Sequence, residues 1–341
     1  MKTILITGGA GFIGSNFIDY FSQKHSDYHI LNLDALTYAG NLDNLNEYKG
    51  FKNYTFVKGD IRNKEFIESV FKQYEVSSVI HFAAESHVDN SITNPTLFAE
   101  TNVIGTLNLL NAAKKYWQLE PFRYKESYEN SKFLHVSTDE VYGALSHEGY
   151  FTEDSPYAPN SPYSASKASS DMFVRSYFHT YGINVLTTNC SNNFGPKQHD
   201  EKLIPTIIRN AIKGKEIPIY GDGMNVRDWL YVLDHCKAID LIFHSGTIGE
   251  TYLIGGRNEH SNLGIVYRIC DYLDKRLPKA KSYKEQITFV GDRHGHDFRY
   301  AIDSSKLNST LKWTAEETFD TGIIKTIEWY IEKYSRESRH E

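Results

Sequence analysis

The stretch Gly8-Gly9-Ala10-Gly11-Phe12-Ile13-Gly14 decides the fold. It follows the apolar run Thr3–Thr7 and opens the helix-period segment Phe12–Lys24. Glycines at this spacing allow a tight turn, a close approach of the backbone to a pyrophosphate, and close packing of a helix on a strand. The unpaired N–H groups at the start of that helix attract phosphate. The stretch therefore predicts a strand, turn and helix that bind a dinucleotide.

Short apolar runs alternate with helix-period segments through the first half of the chain. The predicted strands are Thr3–Thr7, His29–Asp34, Tyr54–Lys58, Ser78–Phe82, Lys132–Ser137 and Asn184–Asn189. The predicted helices are Phe12–Lys24, Asn63–Tyr74, Leu97–Trp117 and Pro162–Tyr181. Several runs are almost wholly apolar, as strands buried on both faces should be. The alternation predicts an α/β fold with a doubly wound parallel sheet of the Rossmann type.

After about Asn192 the alternation weakens, and prolines and glycines separate short elements. We therefore predict two domains. Residues 1–191 would bind the dinucleotide, and residues 192–341 would form a smaller mixed α/β lobe that mainly binds the substrate. This division leaves room for segments of the second half that return to the first domain.

Composition narrows the class of protein. The 341 residues carry a formal net charge of -6, which does not favour a nucleic-acid surface. The cysteines Cys190, Cys236 and Cys270 are widely spaced, which fits structural thiols in a reducing compartment. No apolar run approaches the ~20 residues of a membrane span, and glycines interrupt any signal-peptide core near the start. We expect a cytoplasmic protein without membrane or nucleic-acid partners.

Asp34 ends the second predicted strand, 20 residues after Gly14. A carboxylate there can accept hydrogen bonds from ribose hydroxyls and would repel a 2′-phosphate, which favours NAD over NADP. The alternative is an aspartate that only caps a helix or a turn. Asp60-Ile61, after the third strand, is a further candidate at the adenine edge.

Tyr163 and Lys167 lie four residues apart in a helical segment, so both side chains share one face. A phenol with a pKa near ~10 is a poor base at neutral pH. Lowering that pKa to about 7 requires roughly 4 kcal/mol of preferential phenolate stabilisation. The Lys167 ammonium and the positive nicotinamide ring are suited to supply it. The alternative is an ordinary surface pair.

The segment Ser137-Thr138-Asp139-Glu140-Val141-Tyr142-Gly143 follows the fifth predicted strand. Adjacent acidic residues in a loop are usually solvated. At the carboxyl end of a buried strand, however, the two carboxyl groups can take different protonation states and divide acid and base work.

These motifs together resemble the dTDP-glucose 4,6-dehydratase family, within the extended short-chain dehydrogenases/reductases, over nearly the whole chain. The motifs that carry the resemblance are the glycine turn, residues 81–89 (HFAAESHVD), residues 137–143, the Tyr163/Lys167 pair, Asn192-Asn193, Lys202-Leu203-Ile204-Pro205 and Arg227-Asp228-Trp229-Leu230-Tyr231. The Thr-Asp-Glu trio is the most specific of them, because related epimerases usually carry another stretch there.

The resemblance implies NAD as cofactor, a nucleoside-diphosphate glucose such as dTDP-glucose as substrate, and a homodimer built on the helices 97–117 and 162–181. The implied catalytic residues are Thr138, Asp139, Glu140, Tyr163 and Lys167. Tyr163 would take the O4 proton while hydride leaves C4, with Thr138 holding the hydroxyl. Glu140 would remove the C5 proton and Asp139 would protonate the departing C6 hydroxyl, before hydride returns to C6.

The motifs and the resemblance also predict binding residues. The predicted cofactor residues are Gly8, Gly11, Phe12, Ile13, Gly14, Asp34, Ala35, Leu36, Thr37, Asp60, Ile61, Phe82, Ala83, Ala84, Ser86, Thr101, Tyr163, Lys167 and Asn193. The predicted substrate residues are Ser86, Thr138, Asn192, Lys202, Leu203, Pro218, Tyr220, Arg227, Asn262, Arg293 and His296. The guanidinium groups of Arg227 and Arg293 suit a diphosphate, and Tyr220 suits stacking on a base.

Two positions depart from the family pattern, Asn90 and His294, and they leave the nucleobase preference open. Two other functions remain as alternatives: a nucleotide-sugar 4-epimerase, and an NAD-binding protein without catalysis. The histidine pairs His25/His29 and His294/His296 lack a convincing third ligand, so we predict no metal site.

Overall fold

The computed structural model describes residues 1–48, 50–292 and 297–337. The elements of the first half are β1 (Lys2–Thr7), α1 (Phe12–Lys24), β2 (Tyr28–Asp34), β3 (Tyr54–Lys58), α2 (Lys64–Tyr74), β4 (Val76–His81), α3 (Val88–Thr93), α4 (Pro95–Phe98), α5 (Gly105–Trp117), β5 (Gln118–Glu120), β6 (Arg123–Tyr124), β7 (Phe133–Thr138), α6 (Pro162–Tyr181) and β8 (Val185–Cys190). The elements of the second half are β9 (Asn192–Phe194), α7 (Leu203–Ile212), β10 (Ile217–Tyr220), β11 (Val226–Tyr231), α8 (Val232–Ser245), β12 (Thr251–Ile254), β13 (Glu259–Ser261), α9 (Asn262–Arg276), β14 (Ile287–Val290), α10 (Ser305–Leu311) and α11 (Phe319–Glu337).

A seven-stranded sheet in the order β12-β8-β7-β4-β1-β2-β3 organises the larger part of the molecule. Every neighbouring pair of its strands is parallel. The order reverses direction between β1 and β4, which is where a doubly wound sheet opens its crevice. The six predicted strands all belong to this sheet, with ends within two residues of those predicted. The predicted fold class is confirmed.

Alternate residues of the strands supply two apolar layers. In β1, Ile4 and Ile6 pack on the side of α1 and α8, whereas Leu5 packs on the side of α2, α5 and α6. This alternation follows from the two-residue period of a strand. Both faces of the sheet are therefore covered, which explains the almost wholly apolar runs in the sequence.

The seventh strand, β12, comes from the second half of the chain and pairs with β8. Helix α8, which leads to it, packs against α1. The chain thus returns to the large sheet over residues 232–254 after leaving it at β8. The sequence pattern did not predict this strand.

The helix predicted as Leu97–Trp117 is not one regular helix. The chain forms α4, then a π-helical stretch over Ala99–Ile104, and then α5. Within the wide turns, the Asn102 side chain accepts from the backbone N–H of Glu85 at 2.9 Å and donates to its carbonyl at 3.0 Å. We attribute the departure from one regular helix to this contact. A regular helix would place Asn102 differently relative to the loop after β4.

Elements β9, α7, β10, β11, β13, α9, β14 and α11 build a smaller lobe. It holds a three-stranded sheet, β13-β11-β9, and a two-stranded sheet, β10-β14. Its apolar core lies among α7, α9 and α11 and includes Ile208, Ile269 and Ile327. Among the described helices, none is both long and apolar enough to cross a membrane.

Candidate active site

A cavity opens at the carboxyl ends of the strands of the large sheet. Gly8, Asp34, Phe82 and Thr138 mark the ends of four strands along its wall, and Asn192 brings in the smaller lobe. The crevice predicted from a doubly wound sheet is therefore present between the two parts of the chain.

Most of the predicted cofactor residues line this cavity. Those that do are Gly8, Gly11, Phe12, Ile13, Gly14, Asp34, Ala35, Thr37, Asp60, Ile61, Phe82, Ala83, Ala84, Ser86, Thr101, Tyr163, Lys167 and Asn193. Leu36 is the exception. Its side chain packs against the core beside α1, and its φ of 54° places it in the left-handed region.

The glycine turn leaves a cradle that side chains would fill. A Cβ on Gly8, whose φ is +73°, would lie 2.6 Å from the backbone nitrogen of Ala83. A Cβ on Gly14 would lie 2.3 Å from the carbonyl oxygen of Gly8. Helix α1 begins after Gly11, and no described side chain caps it there. Its first N–H groups are thus left for a ligand such as a phosphate.

Asp34 lies at the end of β2 and is buried. Its Oδ2 accepts from the backbone N–H of Ala10 at 2.9 Å, and its Oδ1 accepts from that of Leu36 at 2.8 Å. Burial raises the pKa of Asp34, and these two hydrogen bonds act against that rise. The Asp34 carboxylate therefore orders a turn, as expected of a turn-capping aspartate. It also lines the cavity, as expected of a cofactor residue.

Tyr163 and Lys167 lie on α6, which begins with a capping box between Ser161 and Ser164. Both functional side chains are buried. The Lys167 Nζ donates to the carbonyl oxygen of Val136 at 2.8 Å. Burial raises the pKa of Tyr163 well above its ordinary value and lowers the pKa of Lys167. A buried phenol of this kind needs a positive charge nearby before it can act as a base.

Thr138 ends β7, and a single turn of 3₁₀-helix follows over Asp139–Tyr142. Thr138 Oγ1 accepts from the backbone N–H of Glu140 and donates to Asp139 Oδ1, each at 3.3 Å. All three residues line the cavity beside Tyr163. Burial and the neighbouring charge of Glu140 raise the pKa of Asp139 well above its ordinary value. This shift favours the protonated form of Asp139, which suits it to donate a proton as an acid.

The predicted substrate residues divide into three groups. Those that line the cavity are Ser86, Thr138, Asn192 and Lys202. Those outside the cavity lining are Leu203, Pro218, Tyr220, Arg227 and Asn262. Those outside the described residues are Arg293 and His296. The Lys202 ammonium, which donates to the Ser86 carbonyl at 3.2 Å, joins the two parts of the chain across the cavity.

Arg227 is held by backbone groups. Its guanidinium donates to the carbonyl oxygens of Val226 at 2.7 Å and Asp297 at 2.9 Å, and it lies over the ring of Tyr300. The side chain is buried, and its charge opposes the rise in the pKa of Asp139. Tyr220, by contrast, is exposed at the end of β10.

Several cavity residues were not predicted. Arg62 lines the cavity and pairs with Asp60 at 2.6 Å, and it could have been found from its place directly after the predicted adenine-edge residues. Cys190 ends β8 and faces the cavity, although we had interpreted it as a structural thiol. Burial raises its pKa to about 12. Its position at the carboxyl end of a predicted central strand could have identified it as a cavity residue. The other cavity residues absent from the prediction are Leu33, Ala39, Gly40, Gly59, Glu85, Val136, Ser137, Ser191, Gln198, His199 and Glu201.

His25 meets different partners from those considered in the sequence. Its Nε2 lies 2.8 Å from Asp240 Oδ1, and His244 Nδ1 lies 3.0 Å from the same oxygen. The three side chains are spaced as metal ligands could be, but the Lys24 ammonium already contacts Asp240 at 2.7 Å. His29 instead contacts the Thr55 hydroxyl at 2.9 Å. The group joins the end of α1 to α8, and none of its residues lines the cavity.

Of the two departures from the family pattern, Asn90 lies exposed on α3. Its backbone N–H lies 3.3 Å from the ring nitrogen of His87, which caps this short helix. His294 lies outside the described residues.

Comparisons with known proteins agree with this geometry. The family described as GDP-mannose 4,6 dehydratase matches residues 5–326. A dTDP-glucose 4,6-dehydratase of Xanthomonas campestris pv. campestris is 51% identical and covers 97% of this chain and 93% of that protein. A dTDP-glucose 4,6-dehydratase from Bacillus anthracis, crystallised with NAD, is 47% identical, covers 98% of both chains and has a TM-score of 0.85. A UDP-glucose 4-epimerase from Thermotoga maritima has a TM-score of 0.84 over 97% of this chain and 99% of that chain, at 27% identity.

Proposed function

This chain belongs to the dTDP-glucose 4,6-dehydratase family, and we propose on that premise that it converts dTDP-glucose to the 4-keto-6-deoxy sugar nucleotide and water, with NAD as cofactor. One observation carries the proposal. Buried Asp139 lies with Glu140 in the same cavity as the Tyr163/Lys167 pair. An epimerase needs the second pair alone, whereas loss of water needs an acid and a base as well.

The described residues fit NAD. The cradle at Gly8 and Gly14, the open start of α1 and the buried Asp34 carboxylate supply a pyrophosphate site and a ribose acceptor. Bound NAD would accept a hydride from the sugar and later return it. Asp34 would also exclude a 2′-phosphate by charge, which is why NAD rather than NADP is proposed.

The first task of the protein is to remove the proton of the sugar O4 hydroxyl as hydride leaves C4. Tyr163 takes this proton, and Thr138 donates or accepts the hydrogen bond that orients the hydroxyl. Lys167 lies one helical turn beyond Tyr163 on the same buried face, so its ammonium favours the phenolate. The C4 ketone that results acidifies the proton on C5.

The second task is elimination. Glu140 takes the C5 proton, and the C6–O bond breaks as Asp139 donates its proton, so that water leaves. Reduction at C6 by the returned hydride and protonation at C5 would then give the 4-keto-6-deoxy product. Asp139 is suited to its part because burial raises its pKa and so favours its protonated form.

Incubation of the purified protein with the glucose conjugates of dTDP, UDP, CDP and GDP, followed by mass analysis, tests this function. We expect loss of one water from dTDP-glucose. A product of unchanged mass and altered C4 configuration would establish the epimerase instead. No change in any substrate, with NAD bound, would leave only a cofactor-binding protein.

We further propose that residues 1–191 mainly hold NAD, that residues 192–341 mainly hold the sugar nucleotide, and that the protein works in the cytoplasm. Asn192 and Lys202 support the division, because they reach the cavity from the second half. Three buried free thiols, which oxidation would damage, support a reducing compartment.

We also propose a homodimer through α5 and α6. Helices α5 and α6 contact each other. Ile104, immediately before α5, and Met172 and Phe173 on α6 expose 48%, 58% and 39% of their surfaces. Neighbouring apolar side chains of this size favour a protein contact over water.

A further inference from the structure

Asp171 is a buried carboxylate that the reaction outlined above does not use. It lies one helical turn after Lys167 on α6, and its side chain is 2% exposed. Its Oδ2 accepts from the Ser137 hydroxyl at 2.9 Å, the Tyr157 hydroxyl at 3.0 Å and the Asn189 amide at 3.1 Å. Three donors on one oxygen fix the side chain in place.

These donors connect Asp171 to the reacting groups. Ser137 is the residue before Thr138 on β7. The Asn189 amide that donates to Asp171 also donates to the carbonyl oxygen of Thr138 at 3.0 Å. The Asp171 carboxylate thus holds the end of β7 from two sides, just before the 3₁₀ turn that carries Asp139 and Glu140.

The other oxygen of Asp171 faces a histidine. Asp171 Oδ1 lies 3.0 Å from Nε2 of His135, which is fully buried on β7. Burial lowers the pKa of His135 to about 4, so this ring is neutral at physiological pH. Its neighbour His81, with ring centroids 5.3 Å apart, is held between the hydroxyls of Thr7 at 2.7 Å and Thr106 at 2.9 Å.

Four titratable side chains among the described residues surround Asp171. The titratable groups that face it are His135 on β7, Tyr142 in the 3₁₀ turn, Tyr157 in the following loop and Lys167 on its own helix. Burial raises the pKa of both tyrosines further above their ordinary value, so both side chains are neutral at physiological pH. Lys167 is therefore the cation of this set, and the negative charge of Asp171 opposes the effect of burial on its pKa.

We propose that Asp171 is the positioning residue of this site: it fixes Thr138 through Ser137 and Asn189, and its charge keeps the buried Lys167 ammonium protonated. The inference rests on the proposed function, because the charge on Lys167 matters through Tyr163. The described hydrogen bond of the ammonium goes to the Val136 carbonyl, so Asp171 acts on Lys167 through its charge. Loss of the Lys167 proton would leave the Tyr163 phenolate without a counter-charge.

The variant Asp171→Asn tests this, because it keeps the shape of the side chain and removes its charge. We expect kcat for dTDP-glucose to fall at least about tenfold, KM to stay within about threefold, and the alkaline limb of the kcat profile, where Lys167 loses its proton, to move down by about half a pH unit or more. We also expect the titration of Lys167 to move to lower pH. NMR of ¹³C-labelled lysine side chains, assigned with Lys167→Met, measures this in the protein without substrate. An unchanged titration of Lys167 with an unmoved alkaline limb would overturn the proposal, even if kcat fell.

Tyr157→Phe is the matched control, since it removes one donor to Asp171 and leaves the charge. Its alkaline limb and its Lys167 titration should match the parent, and a shift equal to that of Asp171→Asn would contradict the proposal. If Asp171→Asn does not fold, Asn189→Leu removes the amide that joins Asp171 to Thr138 without leaving a cavity. It should lower kcat about tenfold at constant KM, and a parental kcat would refute the positioning role. A parent protein that does not dehydrate dTDP-glucose would refute the proposed function alone, because the lysine titration needs no turnover.

Discussion

Asp34 Oδ2 accepts a hydrogen bond at 2.9 Å from the backbone N–H of Ala10, so the end of β2 and the glycine turn are joined through one carboxylate. We predict that Asp34→Ala weakens NAD binding about 10- to 100-fold, the effect of losing a hydrogen bond to a charged group and the order of the turn. Calorimetric titration with NAD measures this. The control is Asp27→Ala, an exposed residue just before β2, which should bind NAD like the parent. Unchanged affinity in Asp34→Ala would remove the ribose assignment.

Replacing Glu140 by glutamine should stop the reaction after the first oxidation. The amide cannot take the C5 proton, whereas Tyr163 and Lys167 remain to support hydride loss from C4. We expect reduced cofactor to form on mixing with dTDP-glucose, at least about a hundredfold less product, and no deuterium at C5 in heavy water. Absorbance of the reduced cofactor and mass analysis measure these. Product release at the parental rate would show that another group is the C5 base.

Asp139→Asn separates the acid from the base. Burial raises the pKa of Asp139 and so favours its protonated form, whereas asparagine has no acidic proton to give to the departing C6 hydroxyl. We expect product formation to fall about a hundredfold or more. Unlike Glu140→Gln, this variant should still exchange the C5 proton for deuterium in heavy water, because Glu140 is intact. If neither variant exchanged C5, the assignment of two separate roles would be wrong.

The proposed dimer can be tested on its exposed face. Met172→Glu together with Phe173→Lys places charges where α6 would meet a second copy, and burying them costs several kcal/mol. We expect sedimentation to show a dimer for the parent and a monomer for the double variant. The control is Tyr267→Glu, which changes an exposed aromatic residue on α9 and should leave the dimer intact. A monomeric parent would exclude the proposal.

The group at Asp240 should make stability depend on pH. Burial alone would raise the pKa of Asp240, but hydrogen bonds from His244 and Lys24 lower it overall, and the pKa of His244 is raised in return. The aspartate contribution is present above the unfolded pKa of about 4 and is lost as pH falls through the lower folded value. The histidine contribution is present below about pH 6.5 and is lost as pH rises through the higher folded value.

Asp240→Asn should therefore lower stability by about 1–3 kcal/mol near pH 5.5 and by less near pH 8.5. Thermal melting at the two pH values measures the difference. An equal loss of stability at the two pH values would show that protonation of His244 does not contribute to the stabilising interaction with Asp240.

The elements that the sequence could predict were those with a local signature. The run His29–Asp34 is apolar and ends in the residue that lines the cavity, so both its strand and its function follow from position. The strand Thr251–Ile254 has four residues, and we recognised no helix pattern in the sequence before it. Only its pairing with β8 identifies it. The π-helical stretch depends on the contact of Asn102 with Glu85, which the local pattern does not contain.

The site residues also divide into those with a local sequence signature and those without one. Thr138, Asp139 and Glu140 could be predicted because they follow a buried strand directly. Arg227 could not be placed, because two of the carbonyl groups that hold it come from residues about 70 positions later. The role we propose for Asp171 has no signature either, since its donors come from three separate segments.

The return of the chain to β12 has a consequence for biosynthesis. All six residues of β8 are buried in the finished protein, yet its outer neighbour is made about 60 residues later. A nascent chain that has emerged only to residue 191 presents β8 as an unprotected edge, which is a template for aggregation. Expression of residues 1–191 alone should thus yield insoluble material, whereas a chain that extends past residue 254 can close the sheet before release from the ribosome.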